Sequence, residues 1–202
     1  MKMAAGFSMV VAGALLFLFG VSEASAQARR VVPAPATGKE SIVIRKMETT
    51  GPNIKVKTPE IKNDSNEPQS QAREWARITV QYETDEEWTD ELEFRYMVMV
   101  KHPKTGAFTM FPATVTYVDI PRGKRHISTV FLRPNTLERY GAVEWAGLKI
   151  YLKGEQAAMA QMPDDRRPWN AAVKTKEGVL LNRAQTPFAL VAIDNYEDIK
   201  TK

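Results

Sequence analysis

The chain has 202 residues, of which 44% are hydrophobic and 26% charged, a composition typical of a folded globular protein of one domain, at most two. Its formal net charge of +4 is too small to indicate nucleic-acid binding. Cysteine is absent, which excludes disulfides, thiol catalysis, cysteine-ligated zinc and a lipidated N-terminal cysteine.

An apolar segment near the N-terminus predicts export. Lys2 precedes an apolar run over residues 4–21, and small residues follow as far as Ala28. This order is typical of a secretory signal peptide. We therefore expect residues 1–28 to be removed, which would leave no transmembrane anchor. The mature protein is then expected to be periplasmic, at the cell surface or secreted.

Two other interpretations of this segment remain open. Its 18 apolar residues reach the lower limit for a membrane-spanning helix, so the segment could be retained as an anchor. A pilin-type leader would be cut after Gly6, but Val11 then occupies the fifth mature position, where type IV pilins have glutamate. Cleavage as a signal peptide is favoured, because the small-residue cleavage pattern occurs twice.

The mature chain begins with residues 29–40, a proline-containing leader that is predicted to be flexible. Residues 41–202 are predicted to form a single domain. In that domain a β-branched run over residues 41–47 predicts the first strand, and residues 53–57 predict a short extended piece. The polar remainder of residues 48–72 predicts a loop.

Alternating apolar side chains predict the next two strands. The first covers residues 73–83, and the second covers residues 90–100, where five apolar positions recur with a strict period of two. Those positions are Leu92, Phe94, Tyr96, Val98 and Val100. The pattern is not that of a helix, and it indicates a strand with one face on a core.

Short strands and turn signals continue towards the C-terminus. Turns are predicted at residues 102–106 and 121–124, and strands at residues 108–120, 127–132, 146–153 and 156–162. Residues 134–140 predict one helical turn, capped by Asn135 or Thr136 and ended by Gly141. Residues 188–193 are apolar on both parities, which predicts a strand buried on both faces.

These elements together predict an all-β fold. About seven to nine short strands, with turns roughly ten residues apart and no competing helical stripe, favour an immunoglobulin-like β-sandwich. The buried cysteine pair of antibody domains is missing, so the prediction depends on strand number and spacing alone.

No motif in the sequence predicts catalysis. The chain contains no G-x-S-x-G, no phosphate-binding loop motif and no G-x-G-x-x-G. His102 and His126 are too far apart for a zincin-type site and are interpreted as ordinary surface side chains. A serine triad would have to use one of these two histidines. We therefore expect a protein that is not an enzyme and has no metal or cofactor.

An acidic cluster separates the two alternating strands. Its members are Glu83, Asp85, Glu86, Glu87, Asp90, Glu91 and Glu93. Such carboxylates can bind Ca²⁺, or two of them can form a hydrolytic pair if they lie within about 10 Å of each other. The spacing differs from that of an EF-hand loop and contains no glycine, so a solvated loop is favoured.

A basic set follows along the chain. It consists of Lys101, Lys104, Arg122, Lys124, Arg125 and Arg133. The acidic cluster lies at one end of the strand at residues 90–100 and Lys101 at the other, which predicts a domain polarised in charge that docks on a charged partner. Arg122, Lys124 and Arg125 are the candidate contact residues, and simple surface charge is the alternative.

Three of the four tryptophans are candidates for exposure. Trp75 has the opposite parity to Ile78, and Trp88 and Trp169 lie in predicted loops. Exposed tryptophan mediates protein contact or stacks on sugar rings. The sequence therefore makes Trp75, Trp88 and Trp169 candidate contact residues.

Several segments of the mature chain resemble a family of exported β-proteins from Verrucomicrobia. The similar segments are residues 87–92 (EWTDEL), 133–140 (RPNTLERY), 151–154 (YLKG), 178–182, 186–188 and 196–197. The family is similar to the immunoglobulin-like protein encoded beside type IV pilus machinery in mucin-dwelling members of that group. The resemblance implies a non-enzymatic role in the envelope or with a pilus, and it assigns no site residues.

The sequence thus predicts an exported protein that acts by protein–protein contact, through edge-strand pairing or surface docking. Envelope or pilus proteins are the expected partners, and nucleic acid is not expected. One alternative is a carbohydrate-binding module for mucin-type glycans that uses exposed tryptophan. The other is a hydrolase that uses the acidic cluster.

Overall fold

Two long strands dominate the fold. The computed structural model describes residues 41–49, 54–60, 72–163 and 172–201. Within these residues the strands are β1 (Ile42–Glu48), β2 (Lys55–Lys57), β3 (Glu74–Lys101), β4 (Phe108–Leu132), β5 (Ala142–Leu152), β6 (Glu155–Met162), β7 (Lys174–Thr175), β8 (Leu181–Asn182) and β9 (Asp198–Ile199). One helix, α1 (Pro134–Tyr140), and two short 3-10 turns, Arg183–Gln185 and Ile193–Asn195, complete the described elements.

Strands β3 and β4 form one antiparallel hairpin that is longer than the sequence predicts. Their register runs from Ala76 opposite Leu132 to Lys101 opposite Phe108, and it shifts only on either side of Thr84. The acidic segment predicted as a loop therefore belongs to β3, and the turn predicted at residues 121–124 belongs to β4. Both predictions were wrong because the chain stays extended through a β-bulge at this point.

The hairpin lies at the centre of one nine-stranded sheet among the described residues, and its two halves pair with different strands. Before the bulge, β3 pairs with β1 and β2 on one side and with the end of β4 on the other. After the bulge, β3 pairs with β5, which pairs in turn with β6. Inward side chains of both parts, including Ile78 and Phe94, belong to one hydrophobic core. The predicted all-β, sandwich-like fold is confirmed, and the nine strands of the described residues fall within the predicted number.

The helix confirms one predicted boundary and corrects another. Gly141 ends α1, and its backbone N–H donates to the carbonyl of Leu137. The N-cap is Arg133, whose side chain makes no capping hydrogen bond, and not Asn135 or Thr136. Asn135 is used elsewhere, because its Oδ1 accepts from Nη1 of Arg73 at 2.5 Å.

The strand predicted at residues 188–193 is absent. Phe188 and Ala189 are half-buried, and the other four residues are exposed. The segment forms successive turns, in which the N–H of Val191 donates to the carbonyl of Phe188 at 3.1 Å. Leu190 is 83% exposed and Ile193 52% exposed. An apolar run on both parities does not distinguish a buried strand from a turn whose hydrogen bonds are local.

All described residues belong to one compact unit, Gly38–Lys202. None of the helices among them is both long and apolar enough to cross a bilayer. The predicted signal peptide at residues 1–28, the leader at residues 29–40 and Trp169 lie outside the described residues.

Candidate functional site

Four of the six candidate contact residues meet where the hairpin bends. Thr84 pairs with Gly123 and Trp88 pairs with Pro121, so residues 85–87 of β3 lie opposite Arg122 alone. We call residues 83–88 and 121–125 the bend. Because three residues oppose one, the side chains of residues 85–88 cannot follow the pleat of the sheet, and all four are exposed.

Buried hydrogen bonds hold the bend from the inside. Oγ1 of Thr84 donates to the carbonyl of Pro121 at 2.8 Å and accepts from the N–H of Gly123 at 3.2 Å. Nε2 of His126 lies 3.0 Å from the same oxygen. The Thr84 hydroxyl oxygen therefore has three hydrogen-bonding partners.

The other nitrogen of His126 ties the C-terminal segment to the bend. Nδ1 lies 2.6 Å from Oε1 of Glu197. His126 is only 6% exposed, so the prediction of a surface histidine was wrong. The imidazole also explains Gly123, because a Cβ there would lie 2.6 Å from Nε2.

Thr84, His126 and Glu197 lie in the order of a nucleophile, a base and a carboxylate. Thr84 is only 5% exposed, and its oxygen already has three hydrogen-bonding partners. These hydrogen bonds hold the hydroxyl in place within the bend. The three residues therefore act as a structural clamp on the bend.

The outer surface of the bend carries charges of both signs. Nε of Arg122 donates to the carbonyl of Asp85 at 2.6 Å. A hydrogen bond from Arg45 lowers the pKa of the Glu83 carboxyl, and Lys124 contributes to the same shift. The predicted charge polarisation is therefore wrong for Arg122, Lys124 and Arg125. Because β4 runs antiparallel to β3, these three lie beside the acidic cluster and not opposite it.

Trp88 is 62% exposed and lines a cleft of about 330 Å³. Carboxylates form much of this cleft, namely those of Glu86, Asp90, Glu91 and Glu93, and residues 151–154 form the far wall. Arg95 stacks on Tyr151 at 4.1 Å and forms an ion pair with Glu93. Lys200 lies 2.5 Å from Glu91. Within the described ranges, no three His, Asp or Glu side chains converge as metal ligands.

The exposure predicted for Trp75 was wrong. Trp75 is 8% exposed, and its Nε1 donates to Oγ1 of Thr58 at 3.0 Å. The ring meets Phe188 edge-to-face at 5.6 Å, and Phe188 stacks on Phe131 at 4.8 Å. The parity argument placed Trp75 correctly on the outer face of the strand. It could not show that residues from distant parts of the chain cover this face.

Comparisons with known proteins found a matching family model and a similar solved structure. A family model matches residues 38–202. No curated protein matches the chain significantly. A crystal structure of a protein from Akkermansia muciniphila matches with a TM-score of 0.68 and 19% identity, over 80% of this chain and 93% of that one. That species is verrucomicrobial, in agreement with the predicted resemblance. At this identity the match establishes the fold alone.

Proposed function

The chain belongs, over residues 38–202, to the protein family whose model matches it, and we propose that it is a non-enzymatic, exported, immunoglobulin-like protein that binds a partner protein through the bend. The observation that carries the proposal is the exposure of Trp88 on a backbone that is fixed from below by Thr84 and His126.

The residue types at the bend support protein contact. Tryptophan and arginine dominate the energetic centres of protein interfaces. Here Trp88 lies on β3 opposite Pro121, one residue from Arg122 on β4, with exposed acidic residues beside them. A large aromatic centre with a charged rim of both signs suits a specific partner of complementary charge. Because hydrogen bonds already order the bend, binding would cost little conformational entropy.

The surroundings of the acidic cluster favour a protein without catalytic activity. Glycoside hydrolysis needs one carboxyl group kept protonated by apolar surroundings and a second that is free to act. Glu86, Asp90 and Glu91 are exposed, and Glu91 and Glu93 are paired with Lys200 and Arg95. This arrangement suits a solvated charged surface better than an acid–base pair.

Export and a place in the envelope are part of the proposal. The signal-peptide pattern of residues 1–28 supports export to the periplasm, the cell surface or the medium. The association with a type IV pilus rests on the resemblance to exported verrucomicrobial proteins. An envelope or pilus protein is therefore the proposed partner.

A photoreactive amino acid at position 88 tests the proposal in intact cells. The matched control carries the same group at Phe108, which is 39% exposed and lies at the other end of the hairpin. We expect position 88 to crosslink to one envelope protein and position 108 not to do so. Charge reversal at Arg122 should weaken that crosslink. Equal crosslinking from both positions, or none from position 88, would contradict the proposal.

The second candidate function is glycan binding in the same cleft. Trp88 offers a face for a sugar ring, and the neighbouring carboxylates can accept hydrogen bonds from sugar hydroxyl groups. In this case Trp88→Ala should abolish binding to mucin-type glycans on an array, and Trp88→Phe should retain part of it. A native protein that gives no glycan signal but crosslinks through position 88 would leave protein contact as the function.

A further inference from the structure

A group of basic side chains surrounds Tyr140, away from the bend. Nζ of Lys176 donates to the hydroxyl oxygen of Tyr140 at 3.0 Å and lies 5.4 Å from the centre of its ring. The guanidinium carbon of Arg139 lies 5.2 Å from the same ring centre. The charge of Lys174 acts on the same hydroxyl. We call Arg139, Tyr140, Lys174 and Lys176 the basic cluster.

Packing fixes the ring of Tyr140. Tyr140 is the last residue of α1, and Gly141 ends the helix against the backbone of Lys101. This contact places the basic cluster at the opposite end of the β3–β4 hairpin from the bend. The ring meets the fully buried Phe111 edge-to-face, with 5.3 Å between the ring centroids. The fold therefore holds the Tyr140 hydroxyl at a defined position.

The two lysines of the cluster come from a distant segment of the chain. Lys174 lies on β7 and pairs with Thr109 of β4, and the N–H of Lys176 donates to the carbonyl of Met110 at 2.9 Å. The two lysines are two positions apart along this extended segment, so they lie on the same face. The negative C-terminus of α1 would account for Arg139 alone. It does not explain two further cations that sheet pairing brings to the same ring.

Among the described residues, no acid is paired with the three cations of the cluster. Glu138 lies next to the cluster in sequence, but it is paired with Arg73. Glu177 is exposed and forms no ion pair within the same ranges. A hydrogen bond from Lys176 lowers the pKa of Tyr140, burial opposes this effect, and the charges of the three cations lower the pKa further. The cluster thus has an excess of positive charge.

The hydrogen-bonding groups of the cluster are donors. Ammonium and guanidinium groups have no acceptor. The hydroxyl oxygen of Tyr140 accepts from Lys176, and its own proton has no acceptor in the described part of the chain. Charge-assisted hydrogen bonds to an anion are stronger than those between neutral groups. Several donors that meet at one ring suit an anion with more than two acceptor oxygens.

We propose that the basic cluster binds a phosphate monoester, with the three cations as counter-ions and the Tyr140 hydroxyl as a donor to one phosphate oxygen. Such a group carries a charge of about −1.5 to −2 at pH 7 and three strong acceptor oxygens. Lysine and arginine are the side chains that commonly bind phosphate. This site is independent of the function proposed for the bend.

Fluorine NMR on the full chain tests the site, with 3-fluorotyrosine at position 140. The matched control carries 3-fluorotyrosine at position 151, because Arg95 stacks on Tyr151 at 4.1 Å but is already paired with Glu93. Inorganic phosphate, glucose 6-phosphate and acetate are titrated at constant ionic strength and pH 7. We expect the two phosphates to shift the signal at position 140 to saturation, with no such shift at position 151 and none with acetate.

Substitutions then assign the binding to the cluster, with affinity for glucose 6-phosphate measured by calorimetry. Lys174→Gln combined with Lys176→Gln should weaken binding roughly tenfold or more. Lys174→Arg combined with Lys176→Arg keeps both charges and should retain most of the affinity. Both lysines are exposed, so we expect the variants to fold, and far-ultraviolet circular dichroism checks this.

Four outcomes would overturn the inference. The signal at position 140 could fail to saturate with either phosphate, or positions 140 and 151 could respond equally. The double change to glutamine could leave the affinity intact, which would locate the binding elsewhere. Saturation by inorganic phosphate but not by glucose 6-phosphate would restrict the site to the free ion and contradict the assignment of a monoester.

Discussion

The regular part of the β3–β4 hairpin and its bend differ in what their side chains do. From Glu91 to Lys101 the register with β4 is unbroken, and the inward side chains are buried. At the bend the register shifts, and residues 85–88 point into solvent. The same two strands thus contribute buried side chains to the core along the regular part and exposed side chains at the bend.

The difference separates the part of the hairpin that stabilises the fold from the part that we propose to bind a partner. Period-two alternation fixes the register wherever one face is buried. A bulge releases that constraint and redirects side chains while the strand continues. Substitutions in the regular part should therefore reduce stability, and substitutions on the outer surface of the bend should change binding alone.

The strongest test of this contrast is Phe94→Ala in the regular part. Phe94 is fully buried, with ring centroids 5.0 Å from Tyr82 and 5.2 Å from Tyr117. We expect a loss of about 3–5 kcal/mol in the free energy of unfolding, measured by denaturant titration. Phe108→Ala, at a half-exposed position on the same hairpin, is the control and should cost less than about 1 kcal/mol. A similar cost at both positions would contradict the contrast.

Gly141→Ala tests the far end of the regular part. Gly141 has a φ of +100°, and a Cβ there would overlap the backbone carbonyl of Lys101. We expect a loss of about 2–3 kcal/mol, read from the same titration. Gly154→Ala is the matched control, since Gly154 has a φ of +84° but open space around it. That variant should lose only about 1 kcal/mol, from backbone strain. Equal losses would mean that the contact with Lys101 is unimportant.

The regular part could be predicted from sequence, and the bend could not. Alternation over residues 90–100 is a local pattern, and it defined a strand and its buried face correctly. Residues 121–124 have the composition of a turn, but the hydroxyl of Thr84 satisfies the backbone groups of Pro121 and Gly123 from across the hairpin. The partners His126 and Glu197 are 71 positions apart, and no local pattern connects them.

Breaking the hydrogen bond that joins the bend to the C-terminal segment should have an intermediate effect on stability. Glu197→Ala would leave the buried Nδ1 of His126 without its partner, so we expect a loss of about 1–3 kcal/mol in the free energy of unfolding. Glu197→Gln keeps an acceptor at this position and should lose less. Glu91→Ala removes the exposed pair with Lys200 and should change stability little. The clamp would be disproved by a Glu197→Ala variant as stable as Glu91→Ala.

The smallest expected effect concerns Tyr82, where the regular core meets the bend. Burial raises the pKa of Tyr82 well above its ordinary value of 10.0, and burial likewise raises the pKa of Tyr117 to about 12. The unfolded chain therefore loses these protons at a lower pH than the folded chain does. The free energy of unfolding keeps its full value below pH 10 and falls as the pH rises towards 12. Over that interval each buried tyrosine lowers the free energy of unfolding by about 1.4 kcal/mol per pH unit.

Tyr82→Phe should therefore show its effect mainly at alkaline pH. Among the described residues the Tyr82 hydroxyl has no hydrogen-bond partner, so its removal should cost little at pH 7. Between pH 7 and pH 11 the free energy of unfolding should fall by about 1.4 kcal/mol less in the variant than in the native chain, measured by denaturant titration at both pH values. Tyr117→Phe is the control, because its hydroxyl accepts from Ser128 at 2.9 Å and its loss should cost stability at neutral pH as well. Parallel pH profiles for Tyr82→Phe and the native chain would show that the Tyr82 hydroxyl reaches solvent. The bend would then be more open on its inner side than the clamp of Thr84, His126 and Glu197 implies.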